Sequence, residues 1–557
     1  MPDLKSTLPK NASSEEQTRA GMYFKEFETL RNNRANTEQH WQEIAQRMAP
    51  NEWRLFLSQG TSTYTKGDKR NEYIYDATAM VASERFAAVL DSLLTPRNNT
   101  WHRLTTNNPE LSKLREVKLY FDELNRTLFH YRYAPKANFA SQNNQIFRGL
   151  GTYGSGAMYI DPLQGERGLR YKSIHLSEIF FRENHQGIVD ACFRYFSKTA
   201  RQAVQQWGQN LPQLILDQAT KNPDREFFFL HVVEPRADRD PLRVDSKGLP
   251  YASFYFSEEG KRELTEGGYR SFPYAISRYT QVTGEVYGRS PGMSVLPAVK
   301  TLNEEKKTIL KQGHRALDPV LLAHDDGVLD AFSLLPGSVN FGGVNRDGRP
   351  LVHALPVGNI AIGKDLMDDE RALINDAFLI TLFQILVETP QQTATEVLER
   401  VREKNILLTP TVGRQNSEYL GPTIVRELDV LDDQRVLPPI PPVLIEAQGE
   451  YSIQYDSPLA RAQRAEEAAG LMRAVENTLS IVNVTQDPTP LDHYDWDVIV
   501  PEINAINGVP TKWLRSLDQI QAMRQQRAQA NQVEQAARVA PGAAALIKAG
   551  AAANKVS

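Results

Sequence analysis

The chain has 557 residues, of which 41% are hydrophobic and 24% are charged, so it can bury several cores and is not a disordered polymer. Its 64 Lys and Arg against 68 Asp and Glu give a formal net charge of −4, which excludes a globally basic nucleic-acid-coating protein. The single cysteine, Cys192, excludes an internal disulfide and a cysteine-cluster metal site. No secretory signal is visible at the start, and the most apolar run, Ala377–Val387, is too short to span a bilayer, so we expect a soluble intracellular protein.

Helical patterns dominate the first hundred residues. A capping box at Ser13 and Glu16 predicts the start of one helix, and Thr37 is expected to cap a second helix that ends before Pro50. A third helix is predicted from Asp76 to Leu94.

The pattern then becomes mixed, and we predict one α+β domain that extends to about residue 290. Helices are expected near Lys113–Tyr131 and Phe139–Leu150, strands at Ala157–Ile160, Ile179–Phe181 and Phe227–Val233, and hairpin turns at Asp245–Gly248 and Glu266–Gly268. Cys192 falls in a strand-like stretch and is expected to be a small core residue.

From Pro291 onward, long helices alternate with short segments. The predicted order is a helix at Met293–Arg315, strands and turns at Val320–Ile362, a helix at Lys364–Val387, a polar loop at Glu388–Gln392, a helix at Thr393–Leu408, a stiff linker at Leu437–Val443 and a mainly helical module at 457–538.

Two glycine motifs suggest nucleotide binding. Gly149–Gly154 has the dinucleotide spacing, but a helix precedes it and a strand follows, the reverse of the order that such a site requires, so a helix stop and turn is favoured. Gly358–Lys364 is close to a phosphate-binding loop, but Asp365 replaces the hydroxyl residue that would hold magnesium, which favours a turn that opens an acidic helix. No histidine pair has metal-binding spacing and no serine elbow occurs, so no catalytic residue, metal or cofactor is predicted.

Charged residues recur on single faces of the two long helices. The first helix carries Lys300, Lys307, Lys311 and Arg315, and the second carries Asp365, Asp369 and Asp376. Three interpretations stay open: solvated faces, pairing of the two faces across a packed interface, or display of the basic face to a polyanion.

Several strings, in this order along the chain, resemble the portal (head-to-tail connector) proteins of short-tailed bacteriophages. The front of the chain contributes Asp76–Thr78, Ser92–Pro96, Trp101, Tyr287–Gly292 and Ala316–Pro319. The rest contributes Thr393–Leu398, Ile406–Leu408, Gly413, Arg414, Ser417, Glu418, Leu420–Pro422, Leu437–Pro442, Tyr455–Gln463 and Gly508–Pro510. The likeness covers roughly residues 20 to 530.

The resemblance implies an α+β, portal-like subunit that assembles into a ring, usually of twelve copies, at one capsid vertex. It assigns 1–290 and 395–445 to an α/β wing, 291–318 and 364–387 to a two-helix stem, and 319–363 to a small β-containing clip. It also assigns 388–394 to a tunnel loop, 446–540 to a helical crown or barrel, and 541–557 to a flexible tail.

The same resemblance implies function and partners. Double-stranded DNA would pass through the ring during packaging and ejection, without catalysis by the ring itself. Channel candidates are Glu388, Thr389, Pro390, Gln391, Gln392 and Thr393 of the tunnel loop, with Lys300, Lys307, Lys311 and Arg315 of the stem, while Asp365, Asp369 and Asp376 are candidates for contacts between subunits.

The implied partners are the terminase large subunit, a tail adaptor, the major capsid and scaffolding proteins, and internal core or ejection proteins. The implied location is the head-tail junction of the virion, and the host cytoplasm during assembly. The alternatives are a nucleotide-binding enzyme that uses Gly358–Lys364 and a virion adaptor ring without a DNA channel.

Overall fold

The structure, a computed structural model, describes most of the chain in thirteen stretches. These are residues 18–52, 71, 74–97, 100–323, 333, 335–356, 360–380, 409–447, 450–455, 458–486, 489–506, 513–515 and 519–530. Helices and strands are mixed throughout, as the α+β prediction requires. The chain divides into two compact units, which comprise residues 1–99 with 130–436, and 100–129 with 437–557.

The α-helices are numbered here in chain order. They are α1 (Arg19–Met48), α2 (Thr78–Leu94), α3 (Pro109–Lys113), α4 (Arg115–Arg132), α5 (Phe139–Tyr153), α6 (Ala200–Trp207), α7 (Gln213–Lys221), α8 (Pro291–Leu317), α9 (Ile360–Ala377), α10 (Gly421–Asp433), α11 (Pro442–Glu446), α12 (Pro458–Thr485) and α13 (Trp496–Ile506). Residues 409–414 and 519–530 are also helical. None of the helices in these stretches is long and apolar enough to cross a membrane.

Within the described residues, the strands form four antiparallel sheets. The strands are numbered here in chain order. They are β1 (His102–Thr106), β2 (Ser155–Pro162), β3 (Leu169–Ile174), β4 (Ile179–Glu183), β5 (Val189–Thr199), β6 (Glu226–Pro235), β7 (Tyr251–Ser257), β8 (Arg262–Tyr269), β9 (Tyr274–Arg278), β10 (Leu321–Ala323), β11 (Val352–Ala354) and β12 (Tyr451–Tyr455). The sheet orders are β4-β5-β6-β7-β8, β3-β2-β9, β10-β11 and β1-β12.

The five-stranded sheet is covered by helices on both faces. Phe24 and Phe27 of α1 pack on one face against Phe180 and other aromatic residues, whereas α6 and α7 cover the other face through Trp207 and Ile215. Strand β5, which pairs with β4 and β6, is therefore buried on both faces along its middle, and Cys192 is fully buried within it as predicted.

The first helix is continuous where two helices were predicted. It begins at the Thr18 cap, whose side chain accepts a hydrogen bond from the Gly21 amide, and Thr37 lies inside it. Arg34, just before Thr37, is buried and donates to the main-chain carbonyl of Leu176, 2.9 Å away. A threonine inside a helix costs well under about 1 kcal/mol, so this packing outweighs its capping preference.

The Gly149–Gly154 motif is a helix stop and turn, as favoured from the sequence. Helix α5 ends at Gly154, which has a φ of 80°, and β2 begins at the next residue. A Cβ on Gly154 would lie 2.3 Å from the carbonyl oxygen of Gly288, so the position needs glycine for space as well as for its left-handed backbone.

The hairpin turn predicted at Glu266–Gly268 was wrong. Residues 266–268 lie within β8, and the turn between β7 and β8 lies at 258–261 instead, where Gly260 and Lys261 have positive φ. Gly268 pairs with Ala252 of β7, and a Cβ there would lie 2.9 Å from the carbonyl oxygen of Ser246, so the position has little room for a side chain.

The second long helix, α9, begins at Ile360 rather than Lys364 and ends at Ala377, well before the predicted end at Val387. It ends there because Leu379 adopts a left-handed φ of 58° while Phe378 packs at 5.9 Å from the Phe86 ring. The predicted helix at Thr393–Leu408 lies outside the described residues.

A helical stretch from 409 to 433 contains a π-helical segment at Gln415–Leu420. Within it, Gln415 accepts from the Ser277 hydroxyl at 2.5 Å, and the Tyr419 hydroxyl donates to Asn143 at 2.6 Å. The π segment places these two buried polar side chains against β9 and α5.

The second unit joins residues that are far apart in sequence. Strand β1 pairs with β12, with His102 opposite Tyr455, and Asn125 of α4 accepts from the amide of Leu104 at 2.9 Å. This unit takes up the chain again at Leu437, where the proline-rich stretch 437–443 begins, and it also includes residues 100–129.

Candidate functional site

The two long helices α8 and α9, with the small β10–β11 sheet between them in sequence, form a feature that we call the arm. Ser290 caps α8, because its hydroxyl accepts from the Met293 amide at 2.9 Å and donates to the carbonyl of Thr152 at 2.8 Å. All buried residues of α8 lie between Pro291 and Leu302. The first half of α8 is therefore fixed in the first unit, and its second half is not buried there.

Helix α9 packs antiparallel to α8. Ile309 lies against Gly363 and Glu305 lies near Glu370, so residue numbers fall along α9 as they rise along α8. A Cβ on Gly363 would be 2.6 Å from the Ile309 side chain, which explains why glycine stands at this close helix contact. A groove of about 630 Å³ runs between the two helices at this point.

The same contact decides the interpretation of the Gly358–Lys364 motif. Gly363 and Lys364 lie inside a helix that has already begun at Ile360, whereas a phosphate-binding loop needs its glycines in the loop before the helix. Residues 357–359 lie outside the described residues. The described part of the motif therefore fits helix packing better than phosphate binding.

The four basic candidates on α8 have different surroundings. Lys300 forms an ion pair with Glu43 of α1. Lys307 lies 3.3 Å from Glu304 on its own helix, with its ammonium 5.8 Å from the centre of the Tyr75 ring.

Lys311 and Arg315, further along α8, are exposed. The accessible positive charge of the arm is thus concentrated toward the end of α8.

The acidic candidates Asp365, Asp369 and Asp376 are all exposed on α9. Within the stretches that the structure describes, none of them forms an ion pair with the four basic candidates. The nearest acidic residue with a partner is Asp368, which pairs with Arg371 at 2.7 Å, and Arg371 also reaches Asp76 at 2.7 Å. The two charged faces are therefore not matched to each other inside one chain.

The arm also exposes apolar side chains that the sequence analysis missed. On α9, Ile362 is 59% exposed, Leu366 52% and Leu373 53%. On α8, Leu310 is 43% exposed and Leu317 is 89% exposed. The spacing of 362, 366 and 373 on one helical face was the available signal, but it does not tell a core face from an assembly face.

The structure provides no test of the tunnel-loop candidates and shows no metal site among its described residues. Glu388, Thr389, Pro390, Gln391, Gln392 and Thr393 lie outside the described residues. Among the residues that the structure describes, no group of three or more His, Cys, Asp or Glu side chains is arranged to hold a metal ion.

Comparison with known proteins gives a consistent result. A family model described as bacteriophage head to tail connecting protein matches residues 21–514. A portal protein of Salmonella phage epsilon15 is 29% identical over 540 residues, covering 95% of this chain and 94% of the relative. A probable portal protein of Bordetella phage BPP-1 is 29% identical over 547 residues and 96% of both chains. The chain therefore belongs to the bacteriophage head to tail connecting protein family.

Proposed function

We propose that this chain is the subunit of a portal ring that forms the DNA channel at one vertex of a phage capsid. Family membership supports a structural connector, and two relatives that carry the portal name align over nearly their whole lengths. The observation that carries the ring proposal is the exposed apolar surface of the arm, formed mainly by Ile362, Leu366 and Leu373.

The exposed apolar surface supports assembly because it lies on helices that the rest of the chain covers only in part. A helix in water is stabilised mainly by burial of an apolar face, and the second half of α8 and most of α9 cover only part of theirs. Contiguous exposed apolar side chains on a rigid element typically mark a protein–protein interface. A second copy of the arm, packed beside the first in a ring, would bury them.

The finer assignments follow the same proposal. The wing would comprise 1–290 and 395–445, the stem 291–318 and 364–387, the clip 319–363, the tunnel loop 388–394 and the crown 446–540, in a ring of about twelve copies as in the family resemblance. The clip would meet the terminase large subunit during packaging and a tail adaptor afterwards, while the capsid and scaffolding proteins surround the wing. The ring would hydrolyse no nucleotide itself.

Negative-stain electron microscopy of the purified chain tests the ring directly, with particles that have a central hole as the expected result. Leu366→Asp with Leu373→Asp should yield folded subunits that no longer form rings, because two carboxylates would enter an apolar contact. The matched control is Ile188→Asp, since Ile188 is 58% exposed on a loop outside the arm. Intact rings in the double variant, or a monomeric parent protein, would overturn the proposal.

The basic residues of α8 are proposed to line the channel. Replacing Lys307, Lys311 and Arg315 with Gln should leave rings intact and lower their affinity for DNA. The slope of log affinity against log salt should fall by about 0.9 for each lost phosphate contact. Lys300→Gln is the control, because Glu43 already compensates that charge.

The alternative arrangement pairs these residues with Asp365, Asp369 and Asp376 of a neighbouring copy. In that case the triple Gln variant should lower ring yield, and changing the three aspartates to Asn should restore part of it. Unchanged assembly and unchanged DNA affinity would contradict both arrangements and leave two solvated faces.

A further inference from the structure

A cleft in the first unit gathers positive charge that the connector function does not use. It has a volume of about 660 Å³ and lies where β3 of the three-stranded sheet approaches β5 and α6 of the five-stranded sheet. Four basic side chains line it, two from each strand: Arg170 and Lys172 from β3, and Arg194 and Lys198 from β5. Alternation along the strands places each pair on one face.

The carboxylates in the cleft do not balance this charge. Glu178 already pairs with Arg194. The Nη2 and Nε of Arg194 lie 3.0 and 3.2 Å from Glu178 Oε2. Asp161, on β2, is attracted mainly to Arg426. In the part of the chain that the structure describes, neither Lys172 nor Lys198 has a carboxylate within 4 Å of its ammonium.

The environment of Lys198 shows the electrostatic consequence. Its ammonium donates to the side-chain carbonyl of Gln206 on α6 and lies 5.2 Å from the centre of the Trp207 ring. Burial, Arg194 and Lys172 together lower the pKa of Lys198 to about 8, and burial and Arg194 also lower the pKa of Lys172. A bound anion would relieve the repulsion among these three cations.

We propose that this cleft binds a phosphate group. Two lysines without a carboxylate partner and a buried arginine line the cleft from β3 and β5, which suits an oxyanion with several oxygens, and Gln202 and Gln205 on α6 add neutral donors. The volume lies in the range of small-molecule sites, so it accommodates more than one phosphate. The phosphate comes either from a small polyphosphate or nucleotide, or from the backbone of DNA.

Calorimetric titration of the full-length protein with tripolyphosphate tests the site. The parent protein should bind, and Lys172→Gln and Lys198→Gln should each weaken binding by about tenfold or more, as expected for loss of a charged donor. Lys198→Arg keeps the charge and should keep binding within about threefold. Lys221→Gln, an exposed lysine on α7, is the matched control and should change nothing.

A proton-uptake readout separates ligand binding from a merely structural role of the lysines. A bound phosphate raises the pKa of Lys198, so binding near pH 8 should take up protons, and affinity should fall as the pH rises through about 8. The charged and titratable groups that line the cleft with Lys198 are Lys172, Arg194, Arg170, Glu178 and Asp161, together with Tyr159, Tyr171 and Tyr255. Titration in two buffers of different ionisation enthalpy measures the uptake, which Lys198→Gln should reduce.

A second titration, with a double-stranded oligonucleotide, distinguishes the two sources of phosphate. Loss of DNA affinity in the same lysine variants identifies the DNA backbone, whereas unchanged DNA affinity with lost tripolyphosphate binding identifies a small phosphate ligand. The proposal is overturned if tripolyphosphate does not bind the parent protein, or if it binds the two Gln variants as tightly as the parent.

Discussion

A fully buried ion pair in the first unit provides the sharpest test of how that unit is held together. Arg132, at the end of α4, and Glu427, in α10, both have side chains with no exposed surface. The Arg132 Nε donates to Glu427 Oε1 at 2.9 Å, a second guanidinium nitrogen contacts Oε2, and the hydroxyl of Tyr171 on β3 donates to Oε1 at 2.6 Å. Three distant segments therefore meet at one carboxylate.

The expected loss of unfolding free energy follows from the burial of this ion pair. Burial opposes the charge of Arg132, but Glu427 more than compensates and raises the pKa of the guanidinium. Burial and the charge of Glu427 also raise the pKa of Tyr171, so its hydroxyl stays protonated and donates. Glu427→Gln keeps the shape but leaves a buried arginine without its counter-charge, which should lower the unfolding free energy of this region by about 3–5 kcal/mol. Tyr171→Phe should cost about 1.5–3 kcal/mol for one hydrogen bond to a charged group.

Hydrogen exchange measured by mass spectrometry against urea concentration is the appropriate assay, because peptides from β3 and α10 report this region in a chain of two units. Glu166→Gln is the control, since Lys136 and Glu166 form a pair with side chains 65% and 56% exposed and should contribute at most about 1 kcal/mol. The reasoning fails if Glu427→Gln costs no more than Glu166→Gln. It also fails if the effects of Tyr171→Phe and Glu427→Gln simply add, because the two side chains share one hydrogen bond.

Further predictions concern the backbone, pH and the later segments. Gly154→Ala should lower the unfolding free energy by at least about 1 kcal/mol more than Gly187→Ala in urea unfolding, since both have positive φ but only the first would clash with backbone. Burial and Arg194 lower the pKa of His231, so thermal stability should fall as the pH drops below about 6.5, and His231→Gln should weaken that dependence. Truncation after residue 457, which retains β12, should still yield rings on a sizing column, with any defect in head filling. Deleting 389–392 of the proposed tunnel loop should leave rings intact and reduce packaged DNA in assembled heads.

The parts of the fold that depend on local pattern were predictable. The helix predicted at Met293–Arg315 lies within a few residues of the bounds of α8, and the glycine at 154 ends α5 where the motif predicted a stop. The strand-like stretch around Cys192 was correctly expected to be a strand with the cysteine in the core.

The parts that depend on contacts between distant residues were not predictable from pattern. The pairing of β1 with β12 joins residues 102–106 to 451–455, and nothing local to either segment specifies the other. Thr37 has the chemistry of a cap, but Arg34 beside it is held against the five-stranded sheet and keeps the helix continuous. The cationic cleft arises only when β3 and β5, each with an ordinary alternation of charges, are brought face to face.

In the arm, the sequence predicted which residues share a helix face but not which part of each helix is buried. Periodicity assigns residues to faces of a helix, and it treats α8 as one amphipathic helix with one basic face. In the structure, the first half of α8 is buried and the second half is exposed, because the buried residues of the helix end at Leu302. Lys300, the first residue of the basic face, forms an ion pair with Glu43. Beyond that point, apolar and charged side chains are exposed together on both α8 and α9. A surface of this composition is stable in an assembly only if a partner covers the apolar part while the charged part stays hydrated or paired. In the proposed ring, the residues that decide channel lining and subunit contact are therefore those of the second half of α8 and the exposed face of α9.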